Sequence, residues 1–241
     1  TITAAGGTAP LSYTFNGVSN ATGIFTGITA ATGYAWSITD ANLCAPVTGT
    51  LDVTEPLAIT ASAAVTTAIL CNGGSATVTI TAAGGTTPLS YTFNGVTNAT
   101  GIFTGITAAT GYAWSVTDAN SCAPATGTLD VTEPLAITAS AAVTTAILCN
   151  GGTATVTITA AGGTAPLSYT FNGVTNATGI FTGITAATGY AWSVTDANLC
   201  GPVTGTLDVT EPLAITASSA VTTAILCNGG TATVTITAAG G

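Results

Sequence analysis

The chain has 241 residues, nine of them acidic and none Lys, Arg or His, giving a formal net charge of −9. Without cations it cannot gather phosphates by charge, which excludes nucleic acid and anionic membrane surfaces as electrostatic partners, and its side chains cannot form ion pairs. Hydrophobic residues reach 47%, yet they alternate with Thr and never run for the ~20 residues that cross a bilayer, so no membrane insertion is expected.

Self-similarity organises the chain. Trp36, Trp114 and Trp192 are spaced by 78, as are Pro56, Pro134 and Pro212, and the opening TITAAGG recurs from Thr235 to Gly241. The expected division is a partial repeat over 1–56, complete repeats over 57–134 and 135–212, and the start of another over 213–241. Such a chain reads as a window on a longer array, with targeting encoded outside it.

Within 57–134, LAITASAAVTTAILC predicts one extended strand or two short ones parted near Ala63, followed by a turn at Asn72, Gly73 and Gly74. SATVTITAAGG alternates cleanly, with Val78 and Ile80 inward and Thr77, Thr79 and Thr81 outward. PLSYTFNG places Leu89, Tyr91 and Phe93 on one face ahead of an Asn94-Gly95 turn of the hairpin type. VTNATGIFTGI holds one or two short strands carrying Ile102, Phe103 and Ile106. In GYAWSVTDANSC, Tyr112, Trp114 and Val116 share a face, and Asp118, Ala119 and Asn120 turn the chain. ATGTLDVTEP brings Leu129 and Val131 inward, and Pro134 denies a ladder donor at the seam. Six or seven short strands without helical periodicity predict an all-β fold: tandem immunoglobulin-like β-sandwiches forming an extended rod. Trp36, Trp114 and Trp192, with Tyr34, Tyr112 and Tyr190, are expected in the cores rather than on a sugar-stacking platform.

Chemistry is sparse. No His, Lys or Arg is present to activate a Ser, Thr or Cys, so no enzyme is expected. Each repeat carries three carboxylates, Asp118, Asp130 and Glu133 in the middle copy. Asp118 is expected to cap its own turn, and Asp130 and Glu133 to be solvated. The sharper reading is calcium held between repeats by these oxygens, which no Asp-x-Asp-x-Asp loop supports. Asn20, Asn98 and Asn176 open Asn-Ala-Thr triplets that match the N-glycosylation pattern, and the plainer reading is a polar turn.

The opening CNGG, the GGTTPLSYTFNG strand, the GYAWSVTDANSC strand and the closing TEP together resemble the SprB-type repeat of Bacteroidota gliding and cell-surface adhesins, three times over. The resemblance implies an extracellular, type IX-secreted adhesin or surface filament linked to adhesion or gliding motility. The lack of basic residues, and Ser121 or Leu43 where such repeats often carry Gly, depart from it. Two cysteine pairings are open. Pairing within the resembling unit joins Cys71 to Cys122 and Cys149 to Cys200, leaving Cys44 and Cys227 to partners beyond the window. Pairing across the seam joins Cys44 to Cys71, Cys122 to Cys149 and Cys200 to Cys227. The first is expected if six strands bring both turns of a unit to one end; seven strands would place them at opposite ends, beyond the ~7 Å Cα limit. Zinc is not expected without His or Cys-x-x-Cys.

Two function classes follow. One is a structural or adhesive rod whose partners are neighbouring repeats or copies of the same chain, and the other is a repeat-by-repeat array that binds surface glycans or ice. The Thr-x-Thr rows, as at Thr77 to Thr81, are short and broken by Gly-Gly, which favours the rod.

Overall fold

A computed structural model describes residues 1–241 as strands and turns, with no helix. The first block holds β1 (Ser12–Phe15), β2 (Val18–Asn20), β3 (Ala31–Thr39) and β4 (Val47–Val53) in one sheet of order β2-β1-β3-β4. The second holds β5 (Thr60–Thr67), β6 (Ala76–Ala83), β7 (Ser90–Phe93), β8 (Val96–Asn98), β9 (Ile102–Ile106), β10 (Ala109–Thr117) and β11 (Ala125–Val131). The third repeats it as β12 (Thr138–Thr145), β13 (Ala154–Ala161), β14 (Ser168–Phe171), β15 (Val174–Asn176), β16 (Ile180–Ile184), β17 (Ala187–Thr195) and β18 (Val203–Val209). A hairpin of β19 (Thr216–Thr223) and β20 (Thr233–Ala239) closes the chain.

Each seven-stranded unit is a sandwich of two antiparallel sheets, β5-β6-β9 against β11-β10-β7-β8 in the second block. The segment before Cys71 makes one unbroken strand, and VTNATGIFTGI makes two. Period-2 alternation puts Val78 and Ile80 of one sheet against Phe93, Val116 and Val131 of the other, and all five lie in one buried cluster. The third block builds the equivalent cluster from Val156, Ile158, Phe171, Val194 and Val209. Asn94 and Gly95 both take positive φ, 47° and 80°, the backbone of a type I′ hairpin turn whose twist matches its flanking strands.

The aromatic core expectation needs correcting. Trp36, Trp114 and Trp192 are half-buried, and the fully enclosed large side chains include Phe93, Phe171, Ile80 and Ile158. The cause lies opposite the indole: Trp114 pairs with Gly127 across β10 and β11, and a Cβ on that glycine would meet the ring at 2.5 Å. The indole therefore lies over a bare backbone at the margin of the sandwich. Tyr34, Tyr112 and Tyr190 are half-buried too. Tyr112 packs against Phe93 with the rings tilted by 41° and centroids 5.2 Å apart, and its hydroxyl leaves the core to donate to the Thr107 carbonyl at 3.1 Å.

Candidate functional site: the junction between units

Every carboxylate of a complete unit accepts from at least one backbone amide, in a chain without side-chain cations. Asp118 is nearly enclosed, 7% exposed. Its Oδ1 accepts from the amides of Cys122 at 3.0 Å and Asn120 at 3.1 Å, and its Oδ2 from that of Thr86 at 3.1 Å. The turn cap expected from the sequence is thus present, and the same carboxylate also ties the turn to the Gly-Gly-Thr loop 32 residues earlier. These amides, Cys122 first and then Thr86, hold the Asp118 carboxyl below its ordinary 3.8 against the opposing effect of burial. Asp196 is lowered likewise, chiefly by the Thr164 amide.

Asp130 and Glu133 are not simply solvated. Asp130 accepts from the Gly111 amide at 2.6 Å. Glu133 accepts from the Gly73 amide at 2.6 Å and from Asn72 Nδ2 at 3.1 Å, while Asn72 also donates to the Pro134 carbonyl at 3.1 Å. The Cys-Asn-Gly-Gly turn is therefore clamped onto the Thr-Glu-Pro segment about 60 residues later, at the end of the unit from which the chain leaves. Glu211 repeats the clamp on Gly151. No group of three or more His, Cys, Asp or Glu side chains converges anywhere as a metal site would require.

The two clamped ends meet. Cys71, in the exit end of one unit, is bonded to Cys200, in the entry end of the next, with Cα atoms 5.5 Å apart and a sequence separation of 129. Beside the bond, Asn198 Nδ2 donates to the Leu70 carbonyl at 2.9 Å and to Thr164 Oγ1 at 3.0 Å, coupling the units through its amide. Neither pairing expected from the sequence is formed. Seven strands put the Cys71 and Cys122 turns at opposite ends of a unit, so Cys71 cannot reach Cys122, nor Cys149 reach Cys200. Seam pairs such as Cys122 with Cys149 fail because they join the entry end of one unit to the exit end of the following one, the two ends facing away from the junction. Cys44, Cys122, Cys149 and Cys227 are free and exposed. Loss of some water around the sulfur, and then the neighbouring Asp118 charge, raise the Cys122 thiol above its ordinary value.

Sequence reasoning set Glu133 near the seam only as a solvated group or a calcium ligand, and missed its clamp on Asn72 and Gly73 and the part played by Asn198. Their signal was available: the Cys-x-Gly-Gly and Thr-Glu-Pro motifs recur at a constant phase, as the two halves of one clamp must. Asn98 takes the plain role of a polar turn, accepting from the Thr100 and Gly101 amides at 2.9 and 2.8 Å and donating through Nδ2 to the Ile102 carbonyl at 2.8 Å. Asn20 and Asn176 do the same.

No protein-family model and no curated protein matches the chain. Among solved structures it is similar to three N-terminal domains of the bacteriophage RB49 Highly Immunogenic Outer Capsid protein, with 15% identity, TM-score 0.39, and coverage of 76% of this chain and 71% of that one. Fibronectin(III)-like modules of Clostridium thermocellum CbhA follow at 11% identity and TM-score 0.26, over 64% of this chain and 95% of that one. Domains 4–9 of the surface layer protein SbsC share 11% identity at TM-score 0.23, over 89% of this chain and 42% of that one. Likenesses this distant do not bear on what the chain does.

Proposed function

We propose that the chain is a load-bearing stretch of an extracellular rod, a non-enzymatic spacer that holds an adhesive part of a larger surface protein away from its anchor. The observation that carries this reading is the Cys71–Cys200 bond. Tension applied along the chain passes from residue 71 directly to residue 200, so the 129-residue span between them is bypassed. Most of two sandwiches is sheltered from the force while the covalent path stays short. Disulfides persist in oxidising compartments, which supports a location outside the cytosol. The resemblance of the Cys-x-Gly-Gly, Thr-Asp-Ala-Asn-x-Cys and Thr-Glu-Pro motifs to SprB-type repeats supports a cell-surface adhesin, with gliding as its finer setting. A ligand array is less favoured because many strand hydroxyls bond one another, as Thr66 to Thr79 at 3.0 Å and Thr92 to Thr97 at 2.8 Å.

Single-molecule pulling from the two termini tests the reading. The oxidised chain should unfold to a contour shorter than the reduced chain by the 129-residue span, about 45 nm at ~3.5 Å per residue. Equal contour lengths in the two states would overturn it.

A further inference from the structure

The dipeptide Asn-Gly occurs at two places in each complete unit, Asn72-Gly73 and Asn94-Gly95 in the second block and Asn150-Gly151 and Asn172-Gly173 in the third. In this dipeptide an asparagine loses its side-chain amide most readily. The glycine nitrogen, once it gives up its proton to hydroxide, attacks the asparagine Cγ; ammonia leaves, and water opens the resulting succinimide to aspartate or isoaspartate. All eight residues are exposed, so access of water does not separate the two places. Hydrogen bonding does. The Gly73 amide donates to Glu133 Oε2 at 2.6 Å, and Asn72 Nδ2 donates to Glu133 Oε1 and to the Pro134 carbonyl, each at 3.1 Å. In the third block Gly151 donates to Glu211 Oε2 at 2.6 Å and Asn150 Nδ2 to the Pro212 carbonyl at 3.1 Å. The hairpin asparagines are held only through their own backbone amides, Asn94 on the Ala113 carbonyl at 2.9 Å and Asn172 on the Ala191 carbonyl at 2.8 Å. Their carboxamides, and the amides of Gly95 and Gly173, face water.

We propose that Glu133 and Glu211 shield Asn72 and Asn150 from deamidation, and that Asn94 and Asn172 are the sites where the chain undergoes it. The shield has two parts. Attack begins with loss of the glycine amide proton, and a carboxylate oxygen 2.6 Å away opposes a second negative charge on that nitrogen. The bonds on Nδ2 also fix the carboxamide, so its Cγ cannot swing toward the glycine nitrogen without breaking them. The hairpin turn must rearrange as well, since Asn94 sits at φ 47°. Its second strand, β8, is three residues long at the edge of its sheet, so this opening is local and needs no other element to move. The products differ in consequence. At Asn72 an aspartate would lose both Nδ2 donations and set a second carboxylate against Glu133, undoing the clamp beside the Cys71–Cys200 bond. At Asn94 it adds one exposed charge, and isoaspartate lengthens a two-residue turn by one backbone atom. The edge of the sandwich thereby takes the chemical ageing that the junction is spared.

The shielding does not depend on what the rod carries, and the full chain tests it. The folded chain is incubated in mildly alkaline buffer beside a reduced chain unfolded in guanidinium, and chymotryptic peptides are followed by mass spectrometry for the exchange of an amide for a carboxyl. In the unfolded chain all four asparagines should convert at similar rates, because each is followed by glycine. In the folded chain Asn94 and Asn172 should convert at least about tenfold faster than Asn72 and Asn150, the factor set by a hydrogen bond to a charged group. Glu133→Ala should raise the rate at Asn72 at least about fivefold and leave Asn94 unchanged, with circular dichroism confirming that the variant folds; the comparison within the parent chain needs no variant. Asn72 keeping pace with Asn94 in the folded chain would overturn the proposal. So would an Asn94 that stays intact while the unfolded chain converts, or a folded Glu133→Ala chain in which Asn72 reacts no faster.

Discussion

Asp118 shows what a carboxylate does in a protein with no cation to face it. Its ordinary 3.8 is lowered in the folded unit by the Cys122 and Thr86 amides, so on acidification the unfolded chain takes up the proton first. The stabilisation is whole above the ordinary value and is lost as pH falls below it toward the folded value. Thermal unfolding followed from pH 7 to pH 2 should therefore show Tm holding down to about pH 4 and then dropping. Asp118→Asn should lower Tm at neutral pH and flatten this acid limb, with Asp40 and Asp196 supplying what remains of it. The bare backbone beneath Trp114 makes a second prediction at this scale. Gly127→Ala forces a Cβ to within 2.5 Å of the indole and should cost about 1–3 kcal/mol as overpacking. Phe93→Ala, at a fully enclosed position, should cost about 3–5 kcal/mol. Chemical denaturation of a complete two-unit chain measures both.

Elements in this protein are positioned by their turns as much as by their strands. The Cys-Asn-Gly-Gly turn between β5 and β6 is held by Glu133, and the Gly-Gly-Thr loop between β6 and β7 by Asp118. Strand ends that would otherwise fray are thus tied to chain segments distant in sequence. Glu133→Ala should release the first turn at a cost of about 1 kcal/mol, and the amide of Gly73 should then exchange with solvent faster than in the parent chain. Unchanged exchange at Gly73 would show that the clamp does not hold the turn.

Across the whole molecule the Cys71–Cys200 bond makes two units one mechanical and thermodynamic object. A loop of 129 residues removes about 5 kcal/mol of unfolded-state entropy in the chain-entropy model. Reduction, or Cys71→Ser, should lower the Tm of the units over 57–134 and 135–212 together, whereas repeats without such a bond respond only as neighbours. Calorimetry with and without reductant decides this: a shift confined to one unit would mean that the bond does not couple them.

Much of this protein is legible in its residues because strands here are local objects. The alternation of Val78 and Ile80 with Thr77, Thr79 and Thr81, the Asn94-Gly95 turn and the 78-residue period determine an all-β repeat, since each depends only on neighbours in the chain. The Asp118 cap was readable for the same reason. What tertiary structure decided was everything resting on which end of a unit a turn occupies. An odd number of strands sends Cys71 and Cys122 to opposite ends, and no spacing states whether a weak segment such as VTNATGIFTGI supplies one strand or two. The place of the indole was likewise beyond the pattern, because alternation gives Trp114 an inward face but not the glycine across the ladder that leaves it at the margin. The covalent link between units follows from the same cause: the disulfide joins surfaces that meet only after two sandwiches have formed, and the distance between its cysteines in sequence carries no record of that meeting.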